Sequence, residues 1–344
     1  MTDSKVYDAI KQSQSTKKEP LIFIISTEGK VVEGFLDNKL AYCKKMLKGE
    51  IEDERVLPWL YTQDSQEEIF KDKRTWQKSN PSLGTIKTYA YLEDIMNKAK
   101  NDLATRVTML CKDFNIKQLE SGTWLTFDEL NNETKFNIED LRDSYAIGGV
   151  DLSSTTDLTA SVLLVKKDKK MYVIPHFFMP KDVLEKRMQE DSVPYDIWVK
   201  KGYITLSDGS QNDFTKVTEW FQRMVWDYGI RPLWVGYDPW NSKYWIDEMA
   251  DAGFTMEKVR QGVYTLSEPM KQLEADLKNH IVIYDNNPVL KWCLANTQAK
   301  VDVNGNIQPT KLNSKYKRID GAVALIIAYS VLSNYKKDYE TMQS

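Results

Sequence analysis

The chain has 344 residues, of which 42% are hydrophobic and 28% charged, enough to bury a sizeable core in more than one domain and too apolar for a disordered or fibrous protein. Its 47 basic and 50 acidic residues leave a formal charge of -3, which excludes a protein that coats nucleic acid by bulk charge; any such contact must be local. The longest apolar stretch, Ala322 to Tyr329, falls far short of the roughly 20 residues of a membrane span, and Met1-Thr-Asp-Ser-Lys5 carries no apolar signal region, so no membrane is expected and the cytoplasm is the default.

In chain order, the block Leu21 to Ile25, closed by Ser26-Thr27-Glu28-Gly29, predicts a buried strand ending in a turn. Residues 31 to 118 read as mainly helical, with one apolar face over Leu36, Leu40, Tyr42, Cys43, Met46 and Leu47 and a second periodic run from Tyr89 to Leu110. Between these, Asp64 to Leu83 reads as a loop containing Trp76 and Asn80-Pro81. The polar stretch Trp124 to Arg142 reads as a linker, with a domain boundary near residue 142. Strands are expected over Tyr145 to Val150, Ala160 to Val165 and Met171 to Phe178, the last two joined by the charged turn Lys166 to Lys170, which suggests an antiparallel meander. A helix near Asp213 to Tyr228, a strand Pro232 to Tyr237, a helix Ser242 to Ala252 and a strand Phe254 to Val259 follow in α/β alternation. A helix Glu268 to Lys278, a strand Ile281 to Tyr284, a helix from Pro288, a hairpin Val301 to Gln308 with Asn304-Gly305 at its tip, and a last helix Ile319 to Leu332 complete the pattern.

The three cysteines, Cys43, Cys111 and Cys293, are widely spaced, and the only histidines are His176 and His280. Disulfide frameworks, His-rich metal sites and Ser-His-Asp triads therefore lack raw material. Carboxylates remain. Asp151 directly follows the apolar run ending at Val150, and Asp238 directly follows Leu233-Trp-Val-Gly-Tyr237, two strand ends of the kind on which α/β sites are built. Asp320 opens the last apolar helix. Each alone reads equally as a solvated loop aspartate, a cap or a first-turn acid facing the helix dipole. If the strands are neighbours and the helix packs across them, three carboxylates converge, and such a cluster repels itself unless divalent cations neutralise it. Oxygen-only ligands favour Mg2+ or Mn2+, and two such ions activate a water and stabilise the leaving oxygen in phosphodiester cleavage. Asp157 either reaches this site or organises the Ser153-Ser-Thr-Thr156 loop.

From Tyr145 to Leu332 the sequence resembles the nuclease domain of the tailed-phage terminase large subunit. The matching pieces are Gly149-Val-Asp-Leu-Ser-Ser-Thr-Thr-Asp-Leu-Thr159, Val193-Pro-Tyr-Asp-Ile-Trp198, Tyr237-Asp-Pro-Trp-Asn241, Val259-Arg-Gln-Gly262, Leu266-Ser-Glu-Pro-Met270, Asn287-Pro-Val-Leu290 and Arg318-Ile-Asp-Gly321. The resemblance implies an α/β, RNase H-like nuclease domain over 143–344, with a central mixed β-sheet flanked by helices. It also implies that Asp151, Asp238 and Asp320 are catalytic and hold the two metal ions, Asp157 being a further candidate ligand, and that the reaction cuts concatemeric double-stranded DNA during genome packaging. The run Lys311, Lys315, Lys317, Arg318 leads into Asp320 without an acid and would place DNA phosphates there, with Arg260 a further candidate; a solvated basic face is the alternative.

Pro20 to Gly29 resembles the terminase ATPase strand whose Ser26-Thr27 couples hydrolysis to motion, and Trp76-Gln-Lys-Ser-Asn-Pro81 resembles the region between motor and nuclease. No Gly-x-x-x-x-Gly-Lys-[Ser/Thr] occurs, and no apolar strand ending in Asp-Glu precedes residue 21, so ATP is expected to act only in a full-length motor and Ser26-Thr27 to be inert here. Accordingly, residues 1–30 are expected to be a remnant of the ATPase domain and 31–142 a helical connector, in a chain resembling the back half of a terminase. The implied partners are double-stranded DNA, the small terminase subunit, portal and procapsid, acting in the host cytoplasm and not in the mature virion. The competing readings are another RNase H-like phosphoryl-transferase, such as a resolvase or transposase, and a non-catalytic module that docks on the portal.

Overall fold

The structure, a computed structural model, describes residues 5–119, 123–154, 158–191, 193–240, 243–311 and 317–343. The chain divides into two compact units between Gly122 and Thr123.

The first unit contains α1 (Lys5–Ser13), α2 (Phe35–Leu47), α3 (Gln66–Lys71), α4 (Tyr89–Ala99) and α5 (Leu103–Lys112), with a 3-10 turn over Lys73–Lys78. The stretch expected to be a loop, Asp64 to Leu83, thus carries α3. The Ser65 hydroxyl accepts from the Glu68 N–H while the Glu68 carboxylate accepts from the Ser65 N–H, a capping box that starts the helix. Trp76 is buried with Ile69, Leu92, Met109, Leu110 and Phe114, and its indole N–H donates to the Ile69 carbonyl at 2.8 Å. Asn80 ties this turn down, donating its amide to the Trp76 and Asp113 carbonyls and accepting from the Lys87 ammonium. Leu21 to Ile25 is not the expected buried strand. It has no strand pairing, and Phe23 and Ile25 are 81% and 95% exposed. An apolar run makes a strand only where a neighbouring strand accepts its backbone groups, and no described strand does so here; the Leu21 carbonyl accepts instead from the Gln14 side-chain amide.

The second unit begins twenty residues earlier than the expected boundary near 142. Residues 123–142 belong to it because their backbone and side chains bond into it: the Trp124 N–H donates to the Thr297 carbonyl, the Asn132 amide to the Val282 carbonyl, and the Tyr284 hydroxyl to the Leu130 carbonyl. This segment includes α6 (Phe127–Leu130). Then follow β1 (Tyr145–Asp151), β2 (Thr159–Lys167), β3 (Lys170–Pro180), α7 (Leu184–Asp191), α8 (Tyr195–Lys200) and β4 (Ile204–Ser207). Next are α9 (Thr215–Tyr228), β5 (Arg231–Tyr237), α10 (Lys243–Asp251), β6 (Met256–Lys258), α11 (Val263–Lys278), β7 (Val282–Ile283) and α12 (Pro288–Asn296). Last come β8 (Gln298–Val301), β9 (Ile307–Thr310), α13 (Asp320–Asn334) and α14 (Lys336–Gln343). The expected meander and α/β alternation are present; α7, α8, β4 and α14 were not anticipated.

The sheet runs β4-β3-β2-β1-β5-β6, with β7 pairing β3. β2 is antiparallel to both β1 and β3, whereas β5 is parallel to β1 and β6 to β5. The turn between β2 and β3 uses Asp168 and Lys169, both at positive φ, as a two-residue hairpin of matching twist requires. β2 is buried from Thr159 to Val165 without alternation, because helices cover both faces of the sheet centre. On one face, Ala146, Val150, Leu163, Val165 and Val235 pack with Trp220, Phe221 and Met224 of α9. The other face carries α13, which is buried from Asp320 to Val331. A helix that is apolar all round needs neighbours on every side; α13 has β1, β2 and β5 beneath it, with α11 and α12 flanking it.

Candidate active site

The parallel pair β1 and β5 is in register at Gly149↔Gly236 and Val150↔Tyr237. One residue further along each strand stand Asp151 and Asp238, so the two carboxylates leave neighbouring strands at the same edge. Both are half-buried, and the Asp238 carboxylate accepts from the Trp240 N–H at 3.2 Å. Trp240 itself is largely exposed beside it.

Glycine decides how close α13 comes. A Cβ on Gly149 would lie 2.2 Å from the Ala324 carbonyl oxygen and 2.7 Å from the Ala328 nitrogen, and one on Gly236 would lie 2.6 Å from Val331 Cγ2. Side chains alternate along a strand, so Asp151 shares the α13 face with Gly149. At the start of the helix, a Cβ on Gly321 would meet Phe177 Cε1 at 2.9 Å. Phe177 pairs with Ala160, and Ala160 pairs with Asp151. The first turn of α13, with Asp320 buried to 8% exposure, therefore stands over the row of the sheet that ends in Asp151. The Cys293 thiol of α12 registers this: burial pushes it well above its ordinary range, and the charges of Asp320 and Asp151 add to the push. Asp151 and Asp238 thus share an edge of the sheet, with Asp320 above the row that ends in Asp151. Among the described residues, no three His, Cys, Asp or Glu side chains are grouped to hold a metal ion. Asp157 lies outside the described residues.

The loop after Asp151 is pinned from both sides. The Thr159 hydroxyl exchanges hydrogen bonds with the backbone of Ser153, and Asn212 donates its amide to the Ser153 carbonyl at 2.7 Å and its N–H to the Ser154 carbonyl at 2.9 Å. Sequence reasoning passed over Asn212, which sits in a polar loop with no motif to mark it.

The expected DNA-binding residues separate. Arg260 is exposed and follows Val259, whose N–H donates to the Tyr237 carbonyl, so it stands beside the Asp238 edge. Lys311 and Lys317 are half-buried, and Lys315 lies outside the described residues. Arg318 is not placed to bind DNA. It is 2% exposed, and its guanidinium grips the Asp191 carboxylate of α7 through Nε at 3.0 Å and Nη2 at 3.1 Å. A fork-shaped cation meeting a buried carboxylate of matching shape is sequestered from phosphate. Asp191 Oδ2 also accepts from the Tyr195 hydroxyl at 2.7 Å. Burial, then the Asp191 charge, pushes that phenol well above its usual range, so it remains a donor. In the first unit the Ser26 hydroxyl bonds the adjacent Thr27 carbonyl, and the Thr27 hydroxyl accepts from the Lys112 ammonium.

The family model for the terminase large subunit endonuclease domain matches residues 50–334. The chain belongs to this family. It is 26% identical to the terminase large subunit of Enterobacteria phage HK97 over 93% of this chain and 62% of that protein. It is 25% identical to the protein YmfN of Escherichia coli K12 over 97% of this chain and 75% of YmfN. The crystal structure of the HK97 bacteriophage large terminase superposes with a TM-score of 0.52 at 23% identity, covering 96% of this chain and 67% of that one. The chain thus spans between three-fifths and three-quarters of the length of these curated relatives. Its terminase nuclease unit has the RNase H-like arrangement expected: an antiparallel β1-β2-β3 meander extended by parallel strands on the β1 side, with helices on both faces.

Proposed function

We propose that this chain is a metal-dependent endonuclease that cuts double-stranded DNA for viral genome packaging, with Asp151, Asp238 and Asp320 as its catalytic carboxylates. The single observation that carries the reading is the register of β1 and β5, which ends two neighbouring strands in aspartates at one edge of the sheet, below the helix that begins with Asp320. The donor set fits the implied ions, since carboxylate oxygens alone suit hard divalent cations such as Mg2+ or Mn2+. When bound there, two such ions would supply an activated water and stabilisation of the leaving oxygen.

The chain's own residues do the positioning. Thr159 and Asn212 hold the loop that follows Asp151, the Trp240 N–H orients Asp238, and the amino end of α13 favours the negative charge of Asp320. Arg260, with Lys311 and Lys317, supplies phosphate contacts that place the duplex without reading its sequence. Asp157 is assigned as a further metal ligand and Lys315 as a further phosphate contact. Residues 1–30 are assigned to a remnant of the ATPase domain and the rest of the first unit to the connector between motor and nuclease, with ATP acting only in a full-length motor. Small terminase subunit, portal and procapsid are the assigned partners, in the host cytoplasm.

The test is nicking and linearisation of supercoiled plasmid in Mn2+, Mg2+ or EDTA, comparing the protein with Asp151→Asn, Asp238→Asn and Asp320→Asn. Metal-dependent cleavage that each substitution abolishes is the expected result. A folded protein that never cuts, or variants that cut as well as the parent, would overturn the assignment and leave a docking role.

A further inference from the structure

Among the described residues, the Arg318-Asp191 pair, two residues before Asp320, is the most buried ion pair, with side-chain exposures of 3% and 0%. Two parallel bonds fix the guanidinium plane, and the Tyr195 hydroxyl supplies a third bond to the same carboxylate. Tyr195 is itself immobilised, packed edge-on against Trp198 at 5.3 Å and Trp292 at 5.9 Å between ring centres. The backbone of residue 318 is held as well: its carbonyl accepts from the Asn296 amide at the end of α12, at 3.3 Å. Residue 318 is therefore anchored through its side chain to α7 and through its main chain to α12, and Asp320 lies two residues further on. Ile319, the residue between them, occupies the N-cap position of α13, and no described side chain caps the helix there. Where a cap is missing, the start of a helix takes its place from what holds the chain before it.

From this we infer that Arg318, Asp191 and Tyr195 form a positioning unit that sets where Asp320 presents its carboxylate, and so how tightly the site takes a divalent cation. The inference rests on the carboxylate site proposed above. In this role the three residues are not themselves ligands of the ion. They act through Asp320, as outer groups around metal ligands do, where their loss typically weakens metal binding about 10- to 100-fold.

Buried pairs also suggest how to separate positioning from folding. Removing one partner strands a buried charge, whereas replacing both with apolar residues of similar size often leaves stability unchanged. The experiment therefore uses Arg318→Lys, which keeps the charge but loses the two-pronged grip, and the paired replacement Arg318→Met with Asp191→Leu, made together with Tyr195→Phe so that no buried hydroxyl loses its acceptor. Mn2+ binding to the full chain is measured by isothermal titration and by electron paramagnetic resonance of free Mn2+, with thermal melting and DNA gel shifts in EDTA as controls. The expected result is unchanged melting and unchanged DNA retardation in EDTA for the paired replacement, with Mn2+ binding weakened about tenfold or more. The Mn2+ concentration for half-maximal plasmid nicking should rise by the same factor, and Arg318→Lys should fall between the parent and the pair. A paired variant that melts like the parent and binds Mn2+ like the parent would overturn the inference while leaving the carboxylate site intact. A parent that binds no Mn2+, indistinguishable from Asp320→Asn, would instead remove the site reading and this inference with it.

Discussion

Gly149→Ala probes the arrangement at its tightest point. The new Cβ would sit 2.2 Å from the Ala324 carbonyl oxygen, 2.7 Å from the Ala328 nitrogen and 2.8 Å from the Ala328 Cβ. Two of these atoms belong to the helix backbone and cannot rotate aside, so α13 must lift off β1 by about 1 Å to restore ordinary contact. Inserting a methyl group into a packed core costs about 1–3 kcal/mol, and a backbone clash belongs at the upper end. For a unit of roughly 200 residues each kcal/mol lowers the melting temperature by about 2–4 °C, so about 3 kcal/mol predicts a fall of about 6–12 °C. Differential scanning calorimetry of the full chain reads this directly. Because the displaced helix carries Asp320, metal-dependent plasmid cleavage measured well below the lowered transition should also fall, by at least about tenfold. The same change at Gly236, where the nearest atoms are the side-chain ends Val331 Cγ2 and Ile327 Cγ2, should cost less. A Gly149→Ala protein that melts within about 2 °C of the parent and cuts plasmid normally would refute the close packing of α13 on β1 and the coupling to Asp320.

His176 predicts a pH dependence. Burial, aided by the Arg223 charge, lowers its pKa to about 4, while the unfolded ring titrates near its ordinary 6.5. The unfolded state thus binds the proton first as pH falls, and its stabilising effect, complete above pH 6.5, is lost between about 6.5 and 4, on the order of 3 kcal/mol in all. Urea unfolding across that range should show this slope in the parent, and His176→Gln should flatten it; parallel profiles would contradict it. Arg260→Ala should weaken DNA binding about uniformly across sequences and lower the slope of log affinity against log salt by about 1, measured by fluorescence anisotropy. Phe23→Ser with Ile25→Ser should leave stability within about 0.5 kcal/mol per site, since both side chains are already in solvent. A clear loss of stability in that double variant would show a buried strand after all. Trp76→Ala, by contrast, should destabilise the first unit by about 3–5 kcal/mol, read from its own unfolding transition.

Strands with continuous or flanked apolar runs were legible because their periodicity is local: β1, β2, β3 and β5 lie where the pattern places them, as does α13. Several motifs resolve into local chemistry of the same kind. Asn287-Pro288 is a helix start, with the Asn287 side chain accepting from the Val289 and Leu290 N–H groups, and Ser267 in Leu266-Ser-Glu-Pro-Met270 accepts from the Ile307 N–H to fix the hairpin. The helix α7 was less legible, since Leu184–Asp191 is mostly polar, with Leu184 and Met188 its only apolar residues. The apolar block Leu21 to Ile25 misled because burial of a strand is a property of its neighbours and not of its own sequence.

The order of strands and helices, the scarcity of histidine and cysteine chemistry, and the positions of Asp151, Asp238 and Asp320 at element ends follow from the sequence by itself. Each depends on residues close together in the chain, where periodicity, caps and turn chemistry operate. Which of the charged residues face solvent and which are consumed inside was decided only in three dimensions. Arg318 and Arg260 look alike in sequence, yet a carboxylate 127 residues away in the chain buries the first, while the second lies open beside the sheet edge. The close seating of α13 is likewise a tertiary matter, since Gly149 and Gly236 matter only because the register of β1 and β5 sets them side by side beneath one helix.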